Sequence, residues 1–395
     1  KNIKEINYIH SLGHFYSAIT VACGFKAIRH EGKITGLAAS GKLNKGLLMK
    51  FKKLIYIKKN GEIYSNLNKG LKIGPYPHTL FQKNIYLMKK IIGKLKIEDV
   101  AATSQKFLEE IVCKFISHYK KKYKIYNICL AGGLFSNVLL NKKISELSGV
   151  KNIYIHPAMT DSGLPVGAAL YSYFKGTKKI RKTYNKIYFG PKVSIKNIKE
   201  KIKKYNLLLT TPKNIEIKIA KLLSEGNVVA RCCSNLEYGP RALGNRSILY
   251  QPNDKSANNW LNKKLSRTEF MPFAPIILKH NIKKIFFNTE VSKFSAKFMT
   301  IAFKTKKKFS KKMQGVVHID QTCRPQILDK SDNPQLYKIL KTYYKITRIP
   351  CLINTSFNIH EEPIVNSLED ALKAFNQSKL NYMQVNKYLI TRIKI

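Results

Sequence analysis

Acidic residues are scarce in this chain: 23 Asp and Glu stand against 72 Lys and Arg, a formal charge of +49. An excess of that size ordinarily points to nucleic acid or an anionic membrane surface. Arginine is scarce as well, supplying nine of the 72 basic residues and leaving 63 lysines. The lysines spread along the whole chain and gather on no motif, which favours solvated lysine faces; a basic RNA-binding protein stays open as an alternative that rests on charge alone. Cysteine pairs are missing. None of the seven cysteines forms a C-x-x-C pair, the pattern of reduced thiols in a cytoplasmic protein. No apolar run reaches about 18 residues and the first residues hold no signal-peptide core, which predicts a soluble chain without a membrane partner. Walker A and zinc-knuckle patterns are absent too. A start without methionine predicts a fragment of a longer product.

What is present is globular. At 395 residues, 44% hydrophobic and 11% aromatic, the chain is long enough for two domains with sizeable cores. Because lysine is the default cation, the arginines inform most, and Arg231, Arg241, Arg246 and Arg267 fall within 37 residues. The stretch Glu237-Tyr238-Gly239-Pro240-Arg241-Ala242-Leu243-Gly244-Asn245-Arg246-Ser247 sets two guanidinium groups among a turn signal and a second glycine, after an apolar run at 227–230 that reads as a buried strand. Arg241 and Arg246 carry the planar fork that matches phosphate or carboxylate oxygens, although two arginines in a polar loop can also be plain surface cations. Downstream come a short helix over 257–265, Arg267 entering the proline-fixed Met271-Pro272-Phe273-Ala274-Pro275, the stretch Val317 to Arg324, and Asn354-Thr355-Ser356-Phe357-Asn358 after a strand-like 350–353. The lysine-rich 304–312 reads as an exposed loop.

The first half reads as α/β. Residues 10–24 predict a helix ending at glycine; His10 and His14 could share a face as metal ligands but read first as structural histidines. Glu31 to Gly41, which includes Lys33 and Gly36, is glycine-punctuated and could let backbone approach a ligand. Residues 98–122 predict a core-facing helix with lysines at its end. A strand over 125–131, the pair Gly132-Gly133 and a helix over 134–147 form a unit that offers backbone N–H groups to a phosphate. A second unit follows, a strand over 152–156, a loop carrying Asp161 and a helix over 164–174. Asp161 can hold a metal or cap the helix. The charged break at 175–182 marks a domain boundary.

Together these motifs resemble NodU/CmcH-type O-carbamoyltransferases, in order and spacing, across most of residues 8 to 392. Glu237 to Ser247, Met271 to Pro275, Asp320 to Arg324 and Asn354 to Asn358 match in the second half; His10 to Gly24, Glu31 to Gly41, Leu130 to Gly133 with Asn137, and Asp161-Ser162-Gly163 match in the first. The resemblance implies an α/β chain in which residues 1–178 are part of an actin-like ATPase-fold domain and 183–395 an α+β YrdC-like domain. The latter would form carbamoyl-adenylate from carbamoyl phosphate and ATP with Mg, and the former would pass the carbamoyl group to a hydroxyl of a small-molecule or sugar acceptor. It assigns phosphate work to Arg241, Arg246, Arg267 and Arg324, with Ser247, Asn354, Ser356 and Asn358 as neutral donors. Lys33, Gly36, Gly132, Gly133 and Asn137 would hold the nucleotide or carbamoyl-adenylate, and Asp161 a catalytic metal, iron by the match. A homodimer is left open.

The family's actin-like domain begins more than a hundred residues earlier, with a phosphate loop and a His-x-x-x-His metal pair; neither precedes Lys1, so the chain is expected to be the C-terminal portion of such an enzyme, with a truncated, catalytically incomplete remnant as the alternative, and Asp161 a lone ligand. Gln321 and Glu361 stand where the family usually has glycine, and Leu265 where a lysine is usual.

Overall fold

The computed structural model describes residues 4–67, 77–179, 187–266, 270–359 and 362–393. They divide into two compact units, Lys1–Ile155 and His156–Ile395, each mixed α/β.

In the first unit the helix Leu12–Ala22 starts where the Ser11 side chain accepts the His14 N–H and stops before Gly24, whose φ of +87° only glycine adopts without strain. Its Phe15 meets Phe51 of the helix Lys45–Leu54 and Phe107 of the helix Ile97–Tyr123, with ring centroids 5.1 to 5.7 Å apart. Three buried rings at those distances tie three helices into one core. The long helix carries Glu98 and Asp99 in its first turn and Lys120 to Lys122 in its last, as its dipole favours. A Cβ at Gly41 would lie 1.9 Å from the Glu98 carbonyl oxygen, so glycine is needed there for close packing. The strands Asn127–Leu130 and Asn152–Ile155 pair in parallel. His10 is structural: its Nδ1 accepts the Ser65 N–H at 3.1 Å, and burial pushes its pKa down.

The second unit is built on an eight-stranded mixed sheet in the order Gln326–Leu328, Ala274–Leu278, Cys351–Ser356, Arg246–Tyr250, Val229–Cys232, Tyr382–Val385, Tyr388–Arg392, Leu207–Thr210. The first pair and the pair of Val229–Cys232 with Tyr382–Val385 are parallel and the rest antiparallel. The helices Ile215–Ser224 and Pro334–Thr347 pack together and cover one face through Ile219, Leu223, Leu336, Ile339, Leu340 and Tyr343. Because successive strand residues alternate between faces, Val229, Leu249, Ile276 and Leu352 lie under those helices. Further along the same face stand Arg231, Ser247, Gln326, Asn354 and Gln384, all buried.

The units divide about twenty residues before the break expected at 175–182. The turn Asp161–Gly163 and the helix Leu164–Thr177 group with the second unit. Packing explains it: a Cβ on Gly239 (φ +100°) would lie 2.9 Å from the Pro157 carbonyl oxygen, Tyr238 stands edge-on to His156, and its hydroxyl reaches the Ser162 carbonyl at 3.5 Å. The segment carrying Asp161 is thus tied to the arginine loop.

Candidate active site

The arginine loop is held by its own backbone. Glu237 is buried, and one of its carboxylate oxygens, Oε1, accepts the N–H groups of Leu243, Asn245 and Arg246 at 2.8, 2.7 and 3.1 Å. The Gly244 N–H donates to Ser247 Oγ at 2.8 Å. The carbonyls are taken as completely. Asn354 Nδ2 donates to Ala242 O at 3.0 Å, Gln326 Nε2 and the Tyr188 hydroxyl donate to Leu243 O at 2.8 and 2.9 Å, and Arg231 Nε donates to Gly244 O at 2.8 Å. Burial raises the Tyr188 pKa, which keeps its hydroxyl a donor. The left-handed φ of +113° at Gly244 is what lets the chain turn through this cage, and a Cβ there would meet the Leu336 side chain at 2.3 Å.

A loop so committed offers side chains, not backbone, to a ligand. Arg241 lies on it partly exposed, one residue before the carbonyl that Asn354 holds. Ser356, also partly exposed, lies directly across from Ser247 on the neighbouring strand and donates to Asn358 Oδ1 at 2.8 Å; Asn358 Nδ2 reaches the Glu362 carbonyl at 2.6 Å. Arg324 enters from the stretch leading to the strand Gln326–Leu328, whose first residue bonds Asn354. The structure therefore gathers Arg241, Ser247, Arg324, Asn354, Ser356 and Asn358 around one end of the sheet face. Arg267 and Glu361 lie outside the described residues.

Three of these residues are buried and bonded within the fold. Arg246 is fully buried, and its guanidinium donates to five carbonyl oxygens, those of Cys233, Asn245, Pro191, Ser234 and Asn366, at 2.6 to 3.4 Å. It alternates onto the sheet face opposite Ser247 and ties loops together, with both terminal nitrogens bonded to carbonyls. Asn354 and Ser247 are likewise buried and spent on the loop, Asn354 also donating to Gln326 Oε1 at 2.8 Å.

The turn before Arg324 explains a sequence peculiarity. The Gln321 N–H donates to His318 O, and its φ is +65°, the left-handed region where glycine is the unstrained choice. Burial alone would raise the nearby Asp320 carboxyl, but hydrogen bonds from His318 and Thr322 bring it below its ordinary value.

In the first unit, Asn137 caps the helix Val138–Ser145 and exchanges side-chain hydrogen bonds with Gln105 at 2.7 and 3.2 Å. Gln105 also accepts from Tyr16 and donates to Glu109, whose carboxyl burial pushes up. Asn137 is buried and committed here. Gly132 and Gly133 are exposed, with open space where a Cβ would stand and φ +111° at Gly132; they remain accessible to a ligand. Lys33 and Gly36 lie in the helix Glu31–Leu37 and are buried, so that stretch is helix rather than open backbone.

Asp161 is exposed and opens a short 3-10 turn without capping the helix that follows. Among the described residues no three His, Cys, Asp or Glu side chains come together as a metal site. The residues described do not fit an iron centre at Asp161, and no step below passes through one. No described helix is long and apolar enough to cross a membrane, and the seven cysteines are free thiols.

Comparison with known proteins decides the family. The family model for the carbamoyltransferase N-terminus matches residues 2–170, and that for the carbamoyltransferase C-terminus residues 220–392. The chain belongs to the carbamoyltransferase family. It is 35% identical to an uncharacterised protein of Methanocaldococcus jannaschii over 99% of this chain and 74% of the relative. A second protein of that organism is 34% identical over 97% of this chain, which spans 62% of its length. Nodulation protein NolO of Bradyrhizobium diazoefficiens is 30% identical over 74% of this chain and 54% of its own. A crystal structure of full-length HypF in the phosphate- and nucleotide-bound form aligns over 47% of this chain and 22% of its own, with TM-score 0.31 and 18% identity, a likeness on which nothing below rests.

Tyr188, Gln326 and Gln384 were not singled out by their sequence context, and Glu237 and Arg231 appeared there only as members of a motif and of an arginine cluster, without these roles. An acid just ahead of Gly-Pro is the only local hint, and it becomes informative only when three amides turn back on it.

Proposed function

We propose that residues 183–395, the expected YrdC-like domain and the larger part of the second unit, make carbamoyl-adenylate, and that an actin-like domain including residues 1–178 passes the carbamoyl group to a hydroxyl acceptor. Membership of the carbamoyltransferase family supports a transferase; the adenylating chemistry is our reading of the arginine loop. Its balance needs one water: carbamoyl phosphate, ATP and water give carbamoyl-adenylate, phosphate and pyrophosphate. In transfer, the acceptor oxygen attacks the carbamoyl carbon, AMP leaves, and the hydroxyl proton is lost.

The observation that carries this reading is the partly exposed Arg241 just ahead of a stretch, 242–246, whose amides and carbonyls are held by Glu237, Ser247, Tyr188, Gln326, Arg231 and Asn354. A guanidinium can match phosphate oxygens bidentately as charge shifts onto the leaving group. Arg324 and Ser356, also partly exposed, supply a second cation and a hydroxyl nearby. Mg with ATP would neutralise further phosphate charge. Gly132 and Gly133 are the first-unit positions we assign to the adenylate. Iron at Asp161 would require ligands from residues other than those described.

The test is exchange of labelled pyrophosphate into ATP. Exchange that depends on added carbamoyl phosphate supports the reading, and exchange absent under all conditions, from a chain that binds neither reactant, sinks it.

A further inference from the structure

We infer that Glu237 is a positioning residue for Arg241. The inference rests on the adenylation reading just given. A single carboxylate oxygen draws in the N–H groups of Leu243, Asn245 and Arg246, three of the five residues that follow Arg241. Inward-turned amides of this kind are the sort of concavity that elsewhere binds a phosphate. Here the chain's own carboxylate fills it, and the loop is shaped before any substrate arrives. Its counterpart on the carbonyl side is the set Tyr188, Gln326, Arg231 and Asn354. Together with the Gly244 N–H on Ser247 and the Cys233 N–H on the Asn245 carbonyl, amides drawn to Glu237 and carbonyls drawn to the opposite set hold the peptides from 242 to 246. The chain is thereby held from the residue that follows Arg241.

The charge matters as well as the shape. An ionised oxygen can accept three hydrogen bonds that an amide oxygen holds less strongly. Glu237→Gln is nearly isosteric, keeps one acceptor oxygen and removes the charge, so it should loosen the loop without opening a cavity. Misplacing a positioned group by about 1 Å can cost on the order of a hundredfold in rate.

The experiment uses the full chain and carbamoyl-phosphate-dependent pyrophosphate exchange, with rates normalised to folded protein. Glu237→Gln should lower kcat by about ten- to a hundredfold with a smaller change in the KM for carbamoyl phosphate. In the double variant with Arg241→Ala, it should slow exchange no further than Arg241→Ala alone, because it acts through that side chain. Should Glu237→Gln fail to fold, Tyr188→Phe removes one donor to Leu243 O while Gln326 keeps its own, and it should give a smaller fall of about three- to tenfold in kcat. A full wild-type kcat in both folded variants, or fully multiplicative losses in the double variant, would overturn the inference. Wild-type exchange that is itself indifferent to Arg241→Ala would instead condemn the adenylation reading, so the two failures are separable.

Discussion

Arg246 has one guanidinium and five carbonyl partners contributed by four segments of the second unit. Its removal would take the donor from the Cys233 and Asn366 carbonyls, each worth about 1–3 kcal/mol, and leave a cavity where a fully buried side chain stood, while the carbonyls of Asn245, Pro191 and Ser234 keep the backbone N–H groups of Cys233, Leu236 and Val193. Arg246→Ala should therefore lower unfolding stability by at least about 3 kcal/mol, read from urea denaturation. Arg246→Lys should recover part of that loss, since an ammonium has three donors in place of a planar fork. A variant as stable as the parent would show that the cage is not what holds these loops. Arg241, five residues away, is expected to behave in the opposite sense: on a partly exposed side chain a substitution should change activity and leave stability nearly untouched. Sequence alone could not separate these two arginines, because each follows a glycine by two residues in one polar motif and only the sheet's alternation sends Arg246 to the face opposite Ser247.

At the scale of elements, the turn at Gln321 and the polar chain under Asn137 each make a prediction. Gln321 sits at φ +65°, so Gln321→Gly should stabilise the second unit by about 1 kcal/mol, provided relief of left-handed strain exceeds the entropy glycine adds to the unfolded chain; a loss measured by denaturant would contradict it. Glu109 is held partly buried, and burial is the chief cause of its raised pKa against an ordinary value of 4.5. Deprotonation therefore costs more in the folded state than in the unfolded one. The penalty is absent below about pH 4.5, grows up to the folded pKa and is constant above it. Glu109→Gln keeps an oxygen for Gln105 and should be more stable than the parent near pH 7, with the difference shrinking as pH falls toward 4; the opposite trend in thermal unfolding would refute this. Elements with strong local signals were legible. The long helix Ile97–Tyr123, the strand–glycine–helix unit around Gly132 and the helix Ala257–Lys264 follow from apolar period and glycine. The stretch Glu31–Leu37 misled because its two glycines suggest a loop, whereas Ile34, Thr35 and Leu37 bury a helix face. The expected loop over 304–312 contains the short helix Lys307–Ser310. Apart from the hairpin of Tyr382–Val385 with Tyr388–Arg392, strand order in the eight-stranded sheet had little local signal, because most partners lie far apart in sequence.

For the whole molecule, family membership was legible in the order of the motifs, and what they do physically was not. The loop around Arg241 needs Glu237, Tyr188, Gln326 and Asn354 from four places in the chain, and only folding brings them together. The central claim is that this assembled loop presents Arg241 to the phosphates of an adenylation reaction. Carbamoyl-phosphate-dependent pyrophosphate exchange, measured on the parent, Arg241→Lys, Arg241→Ala and the surface control Lys255→Ala, tests it most directly. Losing a contact aimed at developing charge costs about 2.7–4 kcal/mol, so Arg241→Ala should slow exchange roughly a hundred- to a thousandfold. Arg241→Lys should restore a small part, having charge without the fork, and Lys255→Ala should match the parent. Exchange in the parent that proceeds equally well in Arg241→Ala would contradict the account.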